Sequence, residues 1–444
     1  MTDRPAAMGA TLTIDSAVPR VPSIWRRIRR DVVILAAGNV GIVAAQLCFR
    51  GLLVAALVPA DYGRLSLILG IYNTVWILGA SGLPNTVARH LAISPANDRA
   101  IIRTAIRAGA GPIVAAAAIV AVVAAVVLNS PVAGLFGALG VVSLVYSLLA
   151  MGILRGRRRM GLAALIMPLT GACEVGPLAI VWLTGIGVDP LSAFGCFCLG
   201  NVLGLLAGVS LVRWTSPAKS EERQRGRVVR ERAPTTRQLL GFSVWLGAAT
   251  AGVAILPLVM RGAVALQSYT VVAVVDLALI LFTIPQRIGT VIVSAVVPHA
   301  TEAMDREDVQ ITVSLRESLL IALPFVAMSL LVAFTPVVRL LFDAAGRPVY
   351  AHSARYLALA LLAAPARILY GVVEGLLIAR GEGRFLAVVA LSVTIVVSGV
   401  IFAIAAAGGV LAAFAVFVVA YWATYLLSRA RIDRPVRRRR LDVG

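Results

Sequence analysis

The chain has 444 residues, of which 60% are hydrophobic and 14% are charged, and its mean hydropathy is +0.92. Soluble domains are about half apolar and a quarter charged, so this composition excludes an ordinary soluble domain and indicates a polytopic membrane protein. The 41 Lys and Arg residues outnumber the 21 Asp and Glu residues. They cluster in short segments between apolar runs, so we expect no nucleic-acid partner.

Twelve apolar runs are long enough to cross a hydrocarbon core of about 30 Å as helices. We place these spans at 32–58, 64–88, 108–128, 131–154, 161–184, 190–212, 239–260, 268–297, 312–334, 353–378, 384–407 and 409–428. The first run lacks a small-residue cleavage site before Pro59, so we interpret it as a helix and not as a signal peptide. The predicted fold class is therefore all-α.

Arginine-rich segments precede the first span and follow the fourth, sixth and twelfth spans. These positions share one side of the membrane if each span crosses it once. Because cytoplasmic loops are enriched in Lys and Arg, we predict a multi-pass protein of the cytoplasmic membrane with both termini in the cytoplasm. We expect the basic segments to attract anionic lipids and the "SIWRRIRR" stretch to form an interfacial helix.

The first span carries Asn39, Gln46 and Arg50 on one helical face. A charge at the middle of a bilayer costs about 2.5–3.5 kcal/mol on insertion scales, so it usually faces a protein interior or a watery cavity. The alternative is a guanidinium that snorkels to the headgroups.

Later spans also contain polar residues, and those of the eighth span follow a single helical stripe. The set comprises Glu174 in the fifth span, Arg261 in the seventh, Asp276, Thr283, Arg287, Thr290 and Ser294 in the eighth, and Arg367, Tyr370 and Glu374 in the tenth. The presence of polar residues in several spans favours a shared polar cavity over isolated arginines that snorkel to the headgroups.

The embedded arginines outnumber the embedded carboxylates, so the cavity is expected to attract an anion. Guanidinium groups offer planar forks that suit phosphate oxygens. We therefore predict phosphate contacts from Arg50, Arg261, Arg287 and Arg367, and a polar lining from Asn39, Gln46, Thr283 and Tyr370. Asp276, Glu374 and Glu174 are the candidate sites for coupling to a proton or sodium gradient. In the alternative interpretation the arginines bond to backbone carbonyls and only tie helices together.

The two halves of the chain resemble each other. The Arg-Gly pairs at 155–156 and 380–381 end the fourth and tenth spans, and those at 50–51 and 261–262 end the first and seventh. Six spans in each half make the halves parallel repeats with the binding cavity at their interface. We divide the chain into a tail with an interfacial helix (1–30), a first lobe (31–213), a basic linker (214–237), a second lobe (238–428) and a basic tail (429–444).

The sequence predicts neither a metal site nor a cofactor. The four cysteines, Cys48, Cys173, Cys196 and Cys198, lie inside apolar segments and are interpreted as small buried hydrophobes. The three histidines fall at loops or helix ends, and no Gly-rich phosphate loop of the Walker type is present.

Two stretches resemble a known family. "LLVAALVPADYGRLSLILGIYNTVWILGASGLPNTVARHLA" and the later "LLIARGEGRF" turn are similar to the polysaccharide-biosynthesis branch of the multidrug/oligosaccharidyl-lipid/polysaccharide (MOP) flippase superfamily. The most familiar piece is L-x-P-x-x-Y-G, here Leu57, Pro59, Tyr62 and Gly63. The resemblance implies two six-helix bundles, related by a pseudo-twofold axis along the membrane normal, around a V-shaped central cavity.

Function follows from this resemblance as an expectation. It implies an O-antigen flippase-like protein and not an enzyme. Such a flippase moves a polyprenyl-(pyro)phosphate-linked glycan from the inner to the outer leaflet by alternating access, for cell-envelope polysaccharide export. Glycan-synthesis enzymes are its expected partners. The drug exporters of the superfamily commonly have an acidic residue in the first helix, which this chain lacks.

Two alternative functions remain open. One is a cation-coupled exporter of small molecules or drugs from the same superfamily. The other is a membrane glycosyltransferase, which the sequence disfavours because the longest outward loop, at 342–356, has the single acid Asp343.

The topology can be tested by cysteine labelling in intact cells. We expect a cysteine placed in the 213–237 loop to be protected from an impermeant reagent, and one in the 343–352 loop to react. Labelling of the 213–237 loop from outside would invert the predicted orientation.

Overall fold

The computed structural model describes residues 24–80, 82–93, 97–215, 235–305 and 315–432, and these ranges contain helices and turns but no strand. The helices of the first half are α1 (Ile24–Ala56), α2 (Pro59–Ala80), α3 (Leu83–Ile93), α4 (Asp98–Val127), α5 (Pro131–Gly156), α6 (Met160–Leu183) and α7 (Pro190–Trp214). Those of the second half are α8 (Thr236–Ala265), α9 (Tyr269–Asp305), α10 (Leu315–Phe334), α11 (Val337–Ala344), a 3₁₀ turn (Pro348–His352), α12 (Ser353–Ala379), α13 (Gly383–Ala406) and α14 (Val410–Ile432).

The number of membrane spans agrees with the sequence prediction. Eleven helical segments of the described chain are long and apolar enough to cross a membrane, and α2 with α3 forms one of them. The count reaches twelve when α10 and α11, which bend by 60° at their junction, are taken as one span. The predicted all-α, multi-pass architecture is therefore confirmed.

Local sequence explains where several helices begin and end. Pro59, Pro131 and Pro190 begin α2, α5 and α7, where a missing backbone N–H costs nothing. The Asp189 carboxylate caps α7 by accepting a hydrogen bond from the Ser192 backbone N–H at 2.7 Å.

The basic stretch at the N-terminal end of the predicted domain division is helical. Residues 24–30 form the first turns of α1, because no Pro or Gly separates them from the apolar run, and their interfacial position stays a prediction. The tail before residue 24, most of the 214–237 linker and the end of the 429–444 tail lie outside the described residues. The lobe boundaries therefore stay a prediction.

The helices pack in two groups. In the first half α1 packs on α6 and α5 packs on α7, while in the second half α9 packs on α12 and α8 packs on α13. The two groups meet where α1 and α2 contact α8 and α9. We call the end of the bundle at which α1 begins the basic face and the end at which α1 ends the opposite face.

Close backbone contact joins the two halves near the opposite face. A Cβ atom on Gly63 in α2 would collide with the backbone carbonyl oxygen of Tyr269 at the start of α9. Only a residue without a side chain lets these two helices approach so closely.

We expect Gly63→Ala to lower the unfolding free energy by about 1–3 kcal/mol, because the new methyl group pushes α2 away from α9. Thermal unfolding in detergent measures the loss. Gly51→Ala is the matched control, since a Cβ at Gly51 meets no atom within 4 Å. Equal effects of the two substitutions would contradict the close approach.

Candidate functional site

One buried carboxylate collects three donors where the two halves meet. Asp276 in α9 is fully buried, and its Oδ2 accepts from Arg50 Nη1 at 3.0 Å and from the Tyr62 hydroxyl at 2.6 Å. Its Oδ1 accepts from Arg261 Nε at 2.7 Å. Arg50 and Tyr62 come from the first half and Arg261 comes from the second. This Asp276 cluster is therefore a charged link between the halves.

Helix ends near the opposite face position the members of the cluster. Arg50 lies in the last two turns of α1, and Tyr62 lies in the first turn of α2. Arg261 follows Pro257 by one turn, and its Nη1 donates to the Pro257 carbonyl oxygen at 3.4 Å. Pro257 itself has no N–H for the Val253 carbonyl oxygen, which instead accepts a hydrogen bond from the Tyr421 hydroxyl at 3.2 Å.

A cavity of about 190 Å³ lies between the halves, on the side of the cluster that faces the basic face. Its walls combine aromatic and aliphatic side chains with charged and amide groups from both halves. The lining residues are Gln46, Phe49, Arg50, Leu69, Gly70, Asn73, Thr74, Trp76, Ile77, Glu174, Phe197, Thr250, Val253, Ala254, Pro257, Arg261, Leu279, Ile280, Thr283, Gln286, Arg287, Thr290 and Arg367.

Two charged residues of the lining stand apart from the cluster. Glu174 in α6 is buried and accepts a hydrogen bond from Asn201 Nδ2 at 3.2 Å. Arg287 in α9 has no hydrogen bond or ion pair with any residue of the described ranges, and its main electrostatic attraction is to Glu174. Their opposite charges attract each other across the interface between the halves.

A second ion pair lies beside the cavity within α12. Arg367 Nη1 and Glu374 Oε2 are 3.6 Å apart, and both residues are buried. The Arg367 guanidinium also lies 5.6 Å from the centre of the Tyr370 ring. Its position depends on Gly289 of α9, where a Cβ would come within 2.8 Å of Arg367 Nη1.

Most of the predicted site residues meet in this region. The cavity lining includes all four predicted arginines together with Gln46, Thr283 and Glu174. Asp276 and Glu374 lie behind the lining as partners of arginines. The binding and coupling roles assigned to these residues stay predictions.

Two residues predicted to line the cavity do not belong to its lining. The Asn39 amide donates to the Leu35 carbonyl oxygen of its own helix at 2.8 Å, so its polar group is already bonded in the turn below. Tyr370 is buried in the packing around Arg367. Helical periodicity does not show how deep a neighbouring helix packs.

Two residues of the interface between the halves were not predicted from the sequence. In the sequence Tyr62 was noted only as part of the L-x-P-x-x-Y-G stretch. Arg155 was counted among the loop arginines, yet it is buried near the basic face and its Nη1 donates to Ser294 Oγ at 2.7 Å. The sequence did contain a signal for Tyr62 and Arg155 as interface residues. Each lies within one turn of a helix end and carries a long side chain with a polar tip.

The halves also contact each other on the basic side of the cavity. Arg155 of α5 reaches Ser294 of α9, and Leu35 of α1 packs in one apolar cluster with Val291 of α9. On the opposite side, Tyr62 stands edge-on to Tyr350 with ring centres 6.2 Å apart, in addition to the Asp276 cluster. The cavity is thus flanked by contacts between the halves at both ends.

No metal centre is present in the part of the chain that the structure describes, where no three His, Cys, Asp or Glu side chains form a suitable group. The cluster and the cavity can bind and orient polar groups.

We expect Asp276→Asn to reduce the unfolding free energy by about 3–5 kcal/mol, because it leaves two buried guanidinium groups without their carboxylate. Denaturation of the purified protein in mixed detergent measures the change. Asp343→Asn is the matched control, since Asp343 forms an exposed ion pair with Arg339 at 3.5 Å. If both variants are as stable as the wild type, Asp276 does not hold the halves together.

No protein-family model and no curated protein sequence matches this chain. Solved structures do match it. A crystal structure of MATE in complex with MaL6 has 14% sequence identity and a TM-score of 0.63, and the match covers 92% of this chain and 96% of that chain.

Two further structures present a multidrug resistance MATE family transporter of the MOP superfamily in different states. The outward-facing conformation has 15% identity and a TM-score of 0.57 over 92% of this chain and 97% of that one. The inward-facing conformation has 16% identity and a TM-score of 0.53 over 90% and 98%. The chain therefore has the two-bundle fold of the MATE transporters of the MOP superfamily.

Proposed function

We propose that the protein exports a small amphiphilic molecule through the central cavity by alternating access. The observation that carries this proposal is the cavity between two helix bundles, with Glu174 and Arg287 on facing walls and contacts between the bundles at both ends. Transport of this kind requires two states of similar energy in which opposite ends open. Similarity in fold to transporters seen in outward-facing and inward-facing conformations supports the same view.

The size of the cavity supports movement of the bundles. Pockets for drug-sized ligands have volumes of about 300–1,000 Å³, so a cavity of about 190 Å³ is too small for such a substrate. A substrate therefore has to enter while the bundles are further apart. Either set of contacts can open first without unfolding a helix, because each joins separate elements.

The charges of the cavity favour an anionic or zwitterionic substrate. Four arginines face the three carboxylates of Glu174, Asp276 and Glu374, which leaves one surplus positive charge. Of these four arginines, Arg287 is the one without an ion-pair partner among the described residues, so it is our candidate for binding the negative group. The rings of Phe49, Trp76 and Phe197 would contact the apolar part of the molecule.

Glu174 is our candidate for coupling to a proton gradient. Asp276 and Glu374 are each held by arginines, whereas the hydrogen-bond donor to Glu174 is the neutral amide of Asn201. A proton on Glu174 would remove its attraction for Arg287 and free that guanidinium for substrate. Proton binding and substrate binding would then depend on the same pair.

Export of a polyprenyl-linked glycan is the second candidate function. The surplus positive charge and the forked geometry of guanidinium groups favour a pyrophosphate. Against it, Arg50, Arg261 and Arg367 already have carboxylate partners, so a pyrophosphate would have to displace them. We therefore rank it below the export of small amphiphiles. The substrate of this protein would in either case enter head group first.

Proteoliposomes with an imposed proton gradient test the proposal. We expect the anionic dye carboxyfluorescein to be transported faster than the cation ethidium. Arg287→Gln should reduce carboxyfluorescein transport about tenfold or more, since a hydrogen bond to a charged group contributes about 1.5–3 kcal/mol. Glu174→Gln should leave downhill movement intact and remove its dependence on the gradient.

Arg213→Gln is the matched control, because Arg213 is exposed near the basic face and lies outside the cavity. Faster transport of ethidium, unaffected by Arg287→Gln, would contradict an anion site. If neither dye is transported but a polyprenyl-pyrophosphate sugar raises the unfolding temperature more than the monophosphate carrier does, the second candidate is favoured.

A further inference from the structure

A second cavity lies at the opposite face, within the second half of the chain. Its volume is about 490 Å³, which falls in the range of ligand pockets. Its lining comes from the starts of α9, α12 and α14, from the 3₁₀ turn, and from the turns that follow α8 and α13. It is separate from the central cavity, because the two have no lining residue in common.

The side chains that line this cavity and can carry a charge near neutral pH are all basic. Its lining contains Arg355 and His352 and no Asp or Glu. Arg355 forms no ion pair with a residue of the described ranges, although most embedded arginines of the central region do. A permanent positive charge with an imidazole nearby, in a pocket without carboxylates, attracts an anion.

The Arg355 guanidinium is held in place. Its Nη2 donates to the Tyr356 hydroxyl at 3.0 Å, and its central carbon lies 4.9 Å from the centre of the Tyr356 ring. Tyr356 is itself buried. A guanidinium has five N–H donors, so this contact orients the group and leaves several donors for a ligand.

The glycine turn of the cavity does not offer free backbone donors. In the turn between α13 and α14 the N–H groups of Gly408, Gly409 and Val410 already donate to backbone carbonyls at 2.9–3.0 Å. Arg355 is the lining residue with a permanent positive charge, so the head of an anionic ligand would be placed at its guanidinium. The rest of the wall is largely aliphatic, with Val271, Val274, Val349 and Leu411 among its residues.

We propose that this cavity binds an amphiphile with an anionic head, placing the head at Arg355 and His352 and the apolar part against the aliphatic wall. A phosphate-bearing lipid of the adjacent leaflet and a small single-chain amphiphile from the water share this chemistry. The site is independent of the function proposed for the central cavity.

The test measures ligand binding to the purified full-length protein through its unfolding temperature in detergent. The probes are dihexanoyl phosphatidylglycerol, octyl phosphate, dihexanoyl phosphatidylcholine and inorganic phosphate. We expect the two anionic amphiphiles to stabilise the protein, with the zwitterionic lipid and inorganic phosphate binding at least tenfold more weakly. The tighter of the two anionic amphiphiles indicates whether the natural ligand is a lipid or a small molecule.

Arg355→Gln should weaken binding of the anionic amphiphiles about tenfold or more, since it removes the charged donor. Val271→Trp should do the same by filling the cavity while leaving Arg355 in place. Arg339→Gln is the control, because Arg339 lies in α11 near the same face, is highly exposed and is not part of the cavity. Wild-type affinity in Arg355→Gln, or equal binding of phosphatidylcholine and phosphatidylglycerol, would overturn the proposal.

Discussion

The structure depends on one buried carboxylate shared between two guanidinium groups. Neither arginine can be left in an apolar interior without a partner, and one acid supplies both because Arg50 and Arg261 approach it from different halves. This requirement fixes α1, α2, α8 and α9 relative to one another at the opposite face. It also determines the chemistry of the cavity behind it, since two of the four arginines are held in ion pairs with a single carboxylate.

The contacts at the two ends of the cavity differ in kind. The Asp276 cluster combines two ion pairs with a hydroxyl donor, all buried. On the basic side one polar contact is the hydrogen bond between Arg155 and Ser294, and apolar side chains pack beside it. Hydrogen bonds between guanidinium groups and a carboxylate are stronger than a bond to a neutral hydroxyl. The Asp276 cluster is therefore the stronger of these two contacts.

The sequence was sufficient to predict the class of fold, and most of the site residues that it predicted lie in one region of the structure. The spans were visible because uncharged apolar runs of membrane length are typical of helices that cross a bilayer and rare in soluble domains. The stripe on α9 from Asp276 to Ser294 was visible from helical periodicity alone. Aligning the Arg-Gly pairs of the two halves also matched Arg50 with Arg261 as positions near the ends of corresponding helices.

Pairing between helices was beyond the sequence. Counting charges showed that the embedded arginines outnumber the embedded carboxylates. It did not reveal that Asp276 pairs with two arginines, whereas Arg287 forms no ion pair with an embedded carboxylate of the described residues. Such pairing depends on the rotation and depth of each helix, which periodicity does not fix. For the same reason Arg155 looked like an ordinary loop residue, and the side chains of Asn39 and Tyr370 were expected in a cavity that they do not reach.

The bend between α10 and α11 has a consequence for how the protein sits in a bilayer. The 20 residues of α10 extend about 30 Å at 1.5 Å per residue, which is already the thickness of the hydrocarbon layer. The eight residues of α11 are turned by 60° from the α10 axis, and the two helices count as one span only when they are taken together. No residue of α11 is buried; Val337, Leu340 and Leu341 are exposed, while Arg339 and Asp343 pair with each other. In a bilayer such a helix would place its aliphatic side chains in the acyl region, and α11 would then mark the depth of the second half.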